Sequence, residues 1–172
     1  MFQKLLSPRQ VVLVTAASGE KSNVTAVQWI MPVSEKPPLL ALSLANTSFT
    51  LDLICSSMEF VVAVPSEKLR DAVRLCGSTS GKFIEKFGEA KLTPVKANRV
   101  RAPLILEAVG NFECKVVSLG STGDHTVVTG EVVDAHAQKE DKELEPLLFS
   151  GPEKDQLVGI RQTGQEQPAQ GR

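Results

Sequence analysis

The chain has 172 residues, of which 42% are hydrophobic and 23% charged, with 19 basic against 20 acidic side chains and a formal net charge of −1. Such a composition describes one globular domain, long enough to bury roughly 70% of the surface its unfolded form would expose and to fold without staples. Balanced charge gives nucleic acid or an anionic membrane no field to recognise.

No run approaches the ~20 apolar residues of a membrane helix. The opening segment is broken by Ser7, Pro8, Arg9 and Gln10 before any leader-like apolar stretch forms. Cys55, Cys76 and Cys114 stand too far apart for a metal knuckle and read as reduced core residues. A cytoplasmic protein without a metal site is expected.

In chain order, residues 10–17 (QVVLVTAA) are β-branched and bounded by Pro8 and Ser18-Gly19, which predicts a first strand. Residues 23–33 predict a second. In it Asn23, Thr25, Val27, Trp29 and Met31 share one face, and Val24, Ala26, Gln28 and Ile30 the other. After a turn at Pro37-Pro38, the almost wholly apolar residues 39–44 suit a strand covered on both sides. From Thr47 the period becomes helical, with Leu51, Ile54, Cys55 and Met58 on one stripe and Thr47 or Asn46 as N-cap.

Residues 59–65 return to strand. Ser66 then opens a second helix with Leu69, Ala72, Val73 and Cys76 as its apolar stripe and Gly77 as its stop. A third helical turn spans residues 81–87, pairing Phe83 with Phe87. Residues 89–103 have no period. Residues 104–119 and 125–137 form a long hairpin about the turn Gly120 to Asp124. A charge run follows at 139–145, a last short element within 147–160, and a tail of disordered composition at 161–172. The domain is therefore expected to occupy residues 1–160. Short strands, interspersed short helices and one long hairpin argue for a mainly β antiparallel barrel decorated by helices. A doubly wound parallel sheet would need a glycine fingerprint after the first strand, and Ser18-Gly19 alone is not one.

Residues 23–50 carry the chemistry. Trp29, Ile30 and Met31 offer an apolar wall, the main chain of Ser43, Leu44 and Ala45 offers hydrogen bonds, and Thr47, Ser48 and Thr50 set hydroxyls at a helix N-terminus able to hold an anion. Asn23 and Thr25 can join either end. A phosphorylated aromatic ligand needs all three kinds of surface. The plainer alternative is that Trp29 and Met31 are core and the hydroxyls an ordinary cap. His125, after Gly123-Asp124, is a turn residue with the chemistry to touch a ligand; Asp124 holds the turn, and His136 is expected to face solvent.

Several blocks, NVTAVQWIMPVS with PPLLALSL, TLDLI with MEFVVAVP, CGSTSGKFIEKF, APLILE, ECKVV and GDHTVVTGEVVDA, resemble in order those of the flavin reductase family of FMN-binding split-barrel proteins. The resemblance covers about residues 7–137. It implies a Greek-key split β-barrel, a homodimer, and FMN near the dimer interface held by the segments flanking Asn23 to Met31 and Ser43 to Thr50. It also implies that His125 approaches the flavin or an incoming nicotinamide. In one departure, Ser48 stands where many members place an arginine or histidine, which removes a counter-charge to phosphate. Lys82 and Lys86 are the candidates to replace it, from the dimer partner, against a reading as solvated helix charges.

The implied activity is hydride transfer from NAD(P)H to bound FMN, with electrons passed on to a flavin, a ferric complex or a partner protein. A flavin-holding electron carrier or redox sensor without a nicotinamide site shares the same cradle, as would a barrel that has lost the cofactor. Flavin supplies the difficult electronics, so no acid/base dyad is required.

Overall fold

The computed structural model describes residues 5–137, 146–149 and 157–159. The predicted charge run at 139–145, most of the element within 147–160 and the tail at 161–172 lie outside these residues. The strands are β1 (Arg9–Gln10), β2 (Val12–Ser18), β3 (Lys21–Val27), β4 (Ile30–Glu35), β5 (Pro38–Ala45), β6 (Glu59–Val64), β7 (Pro94–Val95), β8 (Leu104–Ile105), β9 (Gly110–Thr122), β10 (His125–Ala137), β11 (Leu147–Phe149) and β12 (Leu157–Gly159). The helices are α1 (Phe49–Ser57), α2 (Arg70–Ser78) and α3 (Lys86–Glu89).

Seven strands form one antiparallel sheet in the order β3-β2-β6-β9-β10-β5-β4. Strands β3 and β4 lie at its opposite edges, yet only Gln28 and Trp29 separate them in the chain. The two edges must therefore come together, and the sheet curls until Thr25 to Val27 at the end of β3 face Ser43 to Ala45 of β5; the 2.9 Å hydrogen bond from Ser43 N to Trp29 O extends the β4–β5 pairing up to the crossing. The result is a barrel split beside Trp29, with Greek-key connections. The expected architecture is the one observed.

Alternation along β2 explains its unbroken apolar run. Val12, Val14 and Ala16 point into the barrel with Leu42, Leu44, Phe60, Val62, Cys114 and Val128, where α1 adds Leu51, Leu53 and Ile54. Val11 and Leu13 point outward beneath Ala72, Val73 and Cys76 of α2 and Phe87 of α3. Both faces are thus buried.

Several elements depart from expectation. The strand foreseen over residues 23–33 is two strands. The break at Gln28-Trp29 shifts the alternation, so Ile30 packs against the barrel core while Met31 is 60% exposed. On α1, Leu53 joins the buried stripe, whereas Cys55 and Met58 are exposed. Gly77 lies inside α2 rather than ending it; an added Cβ there would press on Ala26 Cβ at 3.3 Å. Phe83 is 87% exposed and Phe87 buried, so they do not pair. The long hairpin turns more tightly than expected, at Gly123 (φ +66°) and Asp124.

Candidate functional site

Three pockets follow one another along the split. A polar pocket of about 170 Å³ lies at the N-terminus of α1, lined by Asn23, Thr25, Ser48, Thr50, Ser80 and Lys86 among others. A middle pocket of about 270 Å³ shares Thr25 and Ser48 with it and adds Trp29, Ser43, Ala45 and His125. An apolar pocket of about 460 Å³ shares Trp29, Gln28 and Ser43 with the middle one and extends past Ile30 and Met31. The first two pockets are thus both mainly polar, and polarity drops only in the third, towards Met31.

At the polar end, Ser48, rather than Thr47 or Asn46, caps α1, its hydroxyl accepting from Leu51 N at 3.4 Å. Asn46 does something else. Its N–H donates to Asp124 O (2.9 Å), its Nδ2 to Gly123 O (3.1 Å), and its Oδ1 accepts from Thr126 Oγ1 (2.8 Å), clamping the loop before α1 onto the turn that carries His125. Thr50 is wholly buried, and its Oγ1 accepts from Asn23 Nδ2 at 2.9 Å. With its lone pair so engaged, the Thr50 hydroxyl keeps its own proton to donate.

Lys86 is 3% exposed, and its Nζ donates to Cys76 O at 2.8 Å. No carboxylate pairs with it among the described residues. Burial lowers its pKa, partly opposed by the neighbouring Cys76, whose thiol burial pushes up to about 11. A buried ammonium without a counter-ion is costly unless an anion arrives to pair with it. This lysine stands in the same protomer as the α1 N-terminus, not across an interface. Lys82 is placed otherwise: it is half-exposed, its Nζ 3.2 Å from Asp52 Oδ2, and it does not line these pockets.

In the middle pocket the His125 ring lies 4.6 Å from the Trp29 ring, tilted by 41°. His125 Nδ1 is 2.7 Å from Asp124 Oδ1, and that hydrogen bond holds the Asp124 carboxyl below the usual carboxylate range. Leu44 turns its side chain into the barrel core, leaving its main chain to the pocket. Thr47 is exposed at the rim of the polar end. Sequence reasoning missed Leu6, Arg9, Gln10, Gln28 and Val127 in the apolar pocket and Thr79, Ser80 and Gly81 in the polar one. Only the last group left a signal, a run of small hydroxyl residues and glycine between two helices.

Glu113, Asp134 and His136 bring ligand-type atoms within 4.8 Å of one another on the other side of the barrel. Their arrangement is accounted for without an ion. Wholly buried Glu113 accepts from the backbone N–H groups of Asn98 (2.9 Å), Arg99 (2.5 Å) and Val100 (3.1 Å), and lies 2.7 Å from His136 Nε2. Burial alone would raise its pKa, but these hydrogen bonds together bring it below the ordinary glutamate value. His136 is thus half-buried and bonded rather than turned to solvent.

A split barrel whose seam leads from an anion-ready helix end to an apolar, tryptophan-lined slot defines a class of proteins that hold a planar, phosphorylated ligand. Residues 5–157 match the flavin reductase like domain, and the chain belongs to that family. It is 37% identical over 133 residues to an uncharacterized protein of Archaeoglobus fulgidus, covering 77% of this chain and 74% of the other. It is 28% identical over 146 residues to the NADH:riboflavin 5'-phosphate oxidoreductase of Streptomyces pristinaespiralis, covering 85% and 78% respectively. The crystal structure of nitrilotriacetate monooxygenase component B from Mycobacterium thermoresistibile superposes with a TM-score of 0.82 at 26% identity, covering 99% of this chain and 90% of that one. Among the described residues no helix is long and apolar enough to cross a membrane.

Proposed function

We propose that this protein is an FMN-dependent oxidoreductase that takes hydride from NAD(P)H and passes electrons to a further acceptor. The observation that carries the reading is the buried Lys86 ammonium, which shares one small pocket with the α1 N-terminus and the Thr50 hydroxyl. That donor set fits a phosphate monoester: three kinds of hydrogen-bond donor and one positive charge. It also answers the loss of a basic residue at Ser48. The relative from Streptomyces pristinaespiralis, whose name specifies NADH and riboflavin 5'-phosphate, supports the same assignment.

In this reading Ser48, Thr50, Lys86 and the first N–H groups of α1 hold the phosphate, and Asn23 fixes the Thr50 rotor. Thr25 and the main chain of Ser43, Leu44 and Ala45 meet the polar parts of the ligand, while Trp29, Ile30 and Met31 cover its apolar edge. The flavin supplies the hydride and electron chemistry when bound. His125, fixed by Asp124 and resting on Trp29, stands where a nicotinamide would enter and orients it. The exposed apolar residues Val117 (56%) and Leu119 (39%), both on β9, support assembly as a homodimer.

The deciding experiment is anaerobic mixing of the FMN-loaded protein with NADH or NADPH. Rapid bleaching of the flavin absorbance is expected. Indifference to both nucleotides, with reduction by a protein donor, would make the protein an electron carrier instead.

A further inference from the structure

We infer that Asn46 is the positioning residue of His125: by gripping the chain on both sides of it, Asn46 keeps the imidazole on Trp29, where a nicotinamide would enter. The nicotinamide step rests on the flavin reading above, whereas the placement of the ring is open to test without any cofactor. His125 opens β10 directly after the two-residue turn Gly123-Asp124, at the tip of the β9–β10 hairpin. That tip is poorly anchored, because every residue from Val117 to Asp124 is exposed and a two-stranded end with little buried surface frays. A third strand, β5, pairs with β10 only as far as Ala45, opposite His125.

Asn46 is the next residue along, and its N–H carries the pairing one step further, to Asp124 O at 2.9 Å. Its side chain then reaches both flanks of His125, Nδ2 donating to Gly123 O at 3.1 Å and Oδ1 accepting from Thr126 Oγ1 at 2.8 Å. Residues 123, 124 and 126 are thus held without any contact to the ring. Only a carboxamide both donates and accepts in this way; an aspartate would turn a carboxylate oxygen towards the Gly123 carbonyl. With the backbone fixed, Asp124 Oδ1, 2.7 Å from Nδ1, sets the rotation of the ring. The ring rests 4.6 Å from that of Trp29, and its Nε2 has no protein partner among the described residues. Arg9, which lines the same pocket, and Asp124 are the charged groups beside it. A group that must meet a ligand at one place loses much of its effect when its anchorage is loosened.

Trp29 is the sole tryptophan and the chain has no tyrosine, so indole emission reports on the neighbouring ring without background. A protonated imidazole against an indole quenches it. In the cofactor-free protein, emission should fall as pH is lowered from about 8 to about 5, the range in which histidines take up a proton, and His125→Ala should abolish the fall. Asn46→Ala should shrink it at least about threefold, because the freed strand end carries the ring away from Trp29. In the FMN-loaded protein, Asn46→Ala should slow reduction by the nicotinamide about tenfold, and adding it to His125→Ala should cost nothing further, since both act through one ring. The FMN dissociation constant should change by less than about twofold, because Asn46 lines neither the polar nor the middle pocket. Asn46→Asp keeps the acceptor for Thr126 and should fall between Asn46→Ala and the parent; it carries the same test if the alanine variant does not fold. A full acid quench in the Asn46 variants, or a further slowing in the double variant, would overturn the inference. Loss of FMN with the quench intact would assign Asn46 to the phosphate end and overturn it too. If the quench behaves as expected but no nicotinamide reduces the parent, the placement of the ring stands and the reductase reading fails.

Discussion

At the scale of single residues, the site turns on which hydrogen-bond donors remain uncommitted. Thr50 has its oxygen occupied by Asn23 and its proton available, and Lys86 has a carbonyl for company but no counter-ion among the described residues. Thr50→Ala is expected to weaken FMN binding by about 1 to 2 kcal/mol, the scale of a hydrogen bond to a charged group. Riboflavin, which lacks the phosphate, should bind the variant as well as it binds the parent; parallel titrations decide. Lys86→Met keeps the buried methylene stem and deletes the charge. It should lower FMN affinity at least tenfold and raise stability without ligand, because a desolvated ammonium is removed. His125→Ala should slow flavin reduction by the nicotinamide while flavin content stays constant, and stopped-flow absorbance would show a loss of flavin instead if the ring belonged to the cofactor shell.

At the scale of elements, two loops are fastened by side chains far away in sequence. Gly81 lies so close to Asn23 that an added Cβ would overlap its Oδ1. Gly81→Ala must therefore displace Asn23, release the Thr50 rotor and lower FMN affinity with little effect on riboflavin. On the other side of the barrel, Glu113 gathers three amides of the segment before β8. Its carboxyl is held below the ordinary value, so the stability it gives is present above the ordinary glutamate pKa and is lost as pH falls through the lowered folded value. Glu113→Gln should cost about 2 to 3 kcal/mol at pH 7, and the gap between variant and parent should close in acid. Urea unfolding at a series of pH values reads this directly; a gap unchanged down to pH 3 would contradict it.

At the scale of the whole molecule, closure of the barrel creates the seam. Gln28 and Trp29 carry the chain from one edge of the seven-stranded sheet to the other, and the pockets lie along that crossing. A ligand that binds only the folded barrel must raise its apparent stability. At an FMN concentration 100-fold above its dissociation constant, the gain should be about 2.7 kcal/mol, visible as a higher melting temperature. A colourless protein whose melting temperature ignores FMN would mark a barrel that has lost its cofactor. The exposed apolar residues Val117 and Leu119 of β9 predict a dimer in sedimentation, and Val117→Lys should shift it towards monomer.

Much of this could be read from residue order. β-branched runs, the switch to helical period after Thr47 and the hydroxyl cluster at the α1 N-terminus are local patterns, and local patterns follow from side-chain sterics and hydrogen-bonding capacity within a few residues. They foretold most of the strands and the first two helices, and they marked Thr50 and Trp29, which line the pockets of the seam, as candidates. Which donors face one another was decided elsewhere. The break at Gln28-Trp29, the approach of Lys86 to Thr50 in one protomer, the role of Asn46 as a clamp and the burial of Glu113 among amides each depend on chain segments brought together by barrel closure. No periodicity records such meetings, because they are set by sheet order and packing and not by near neighbours in the chain.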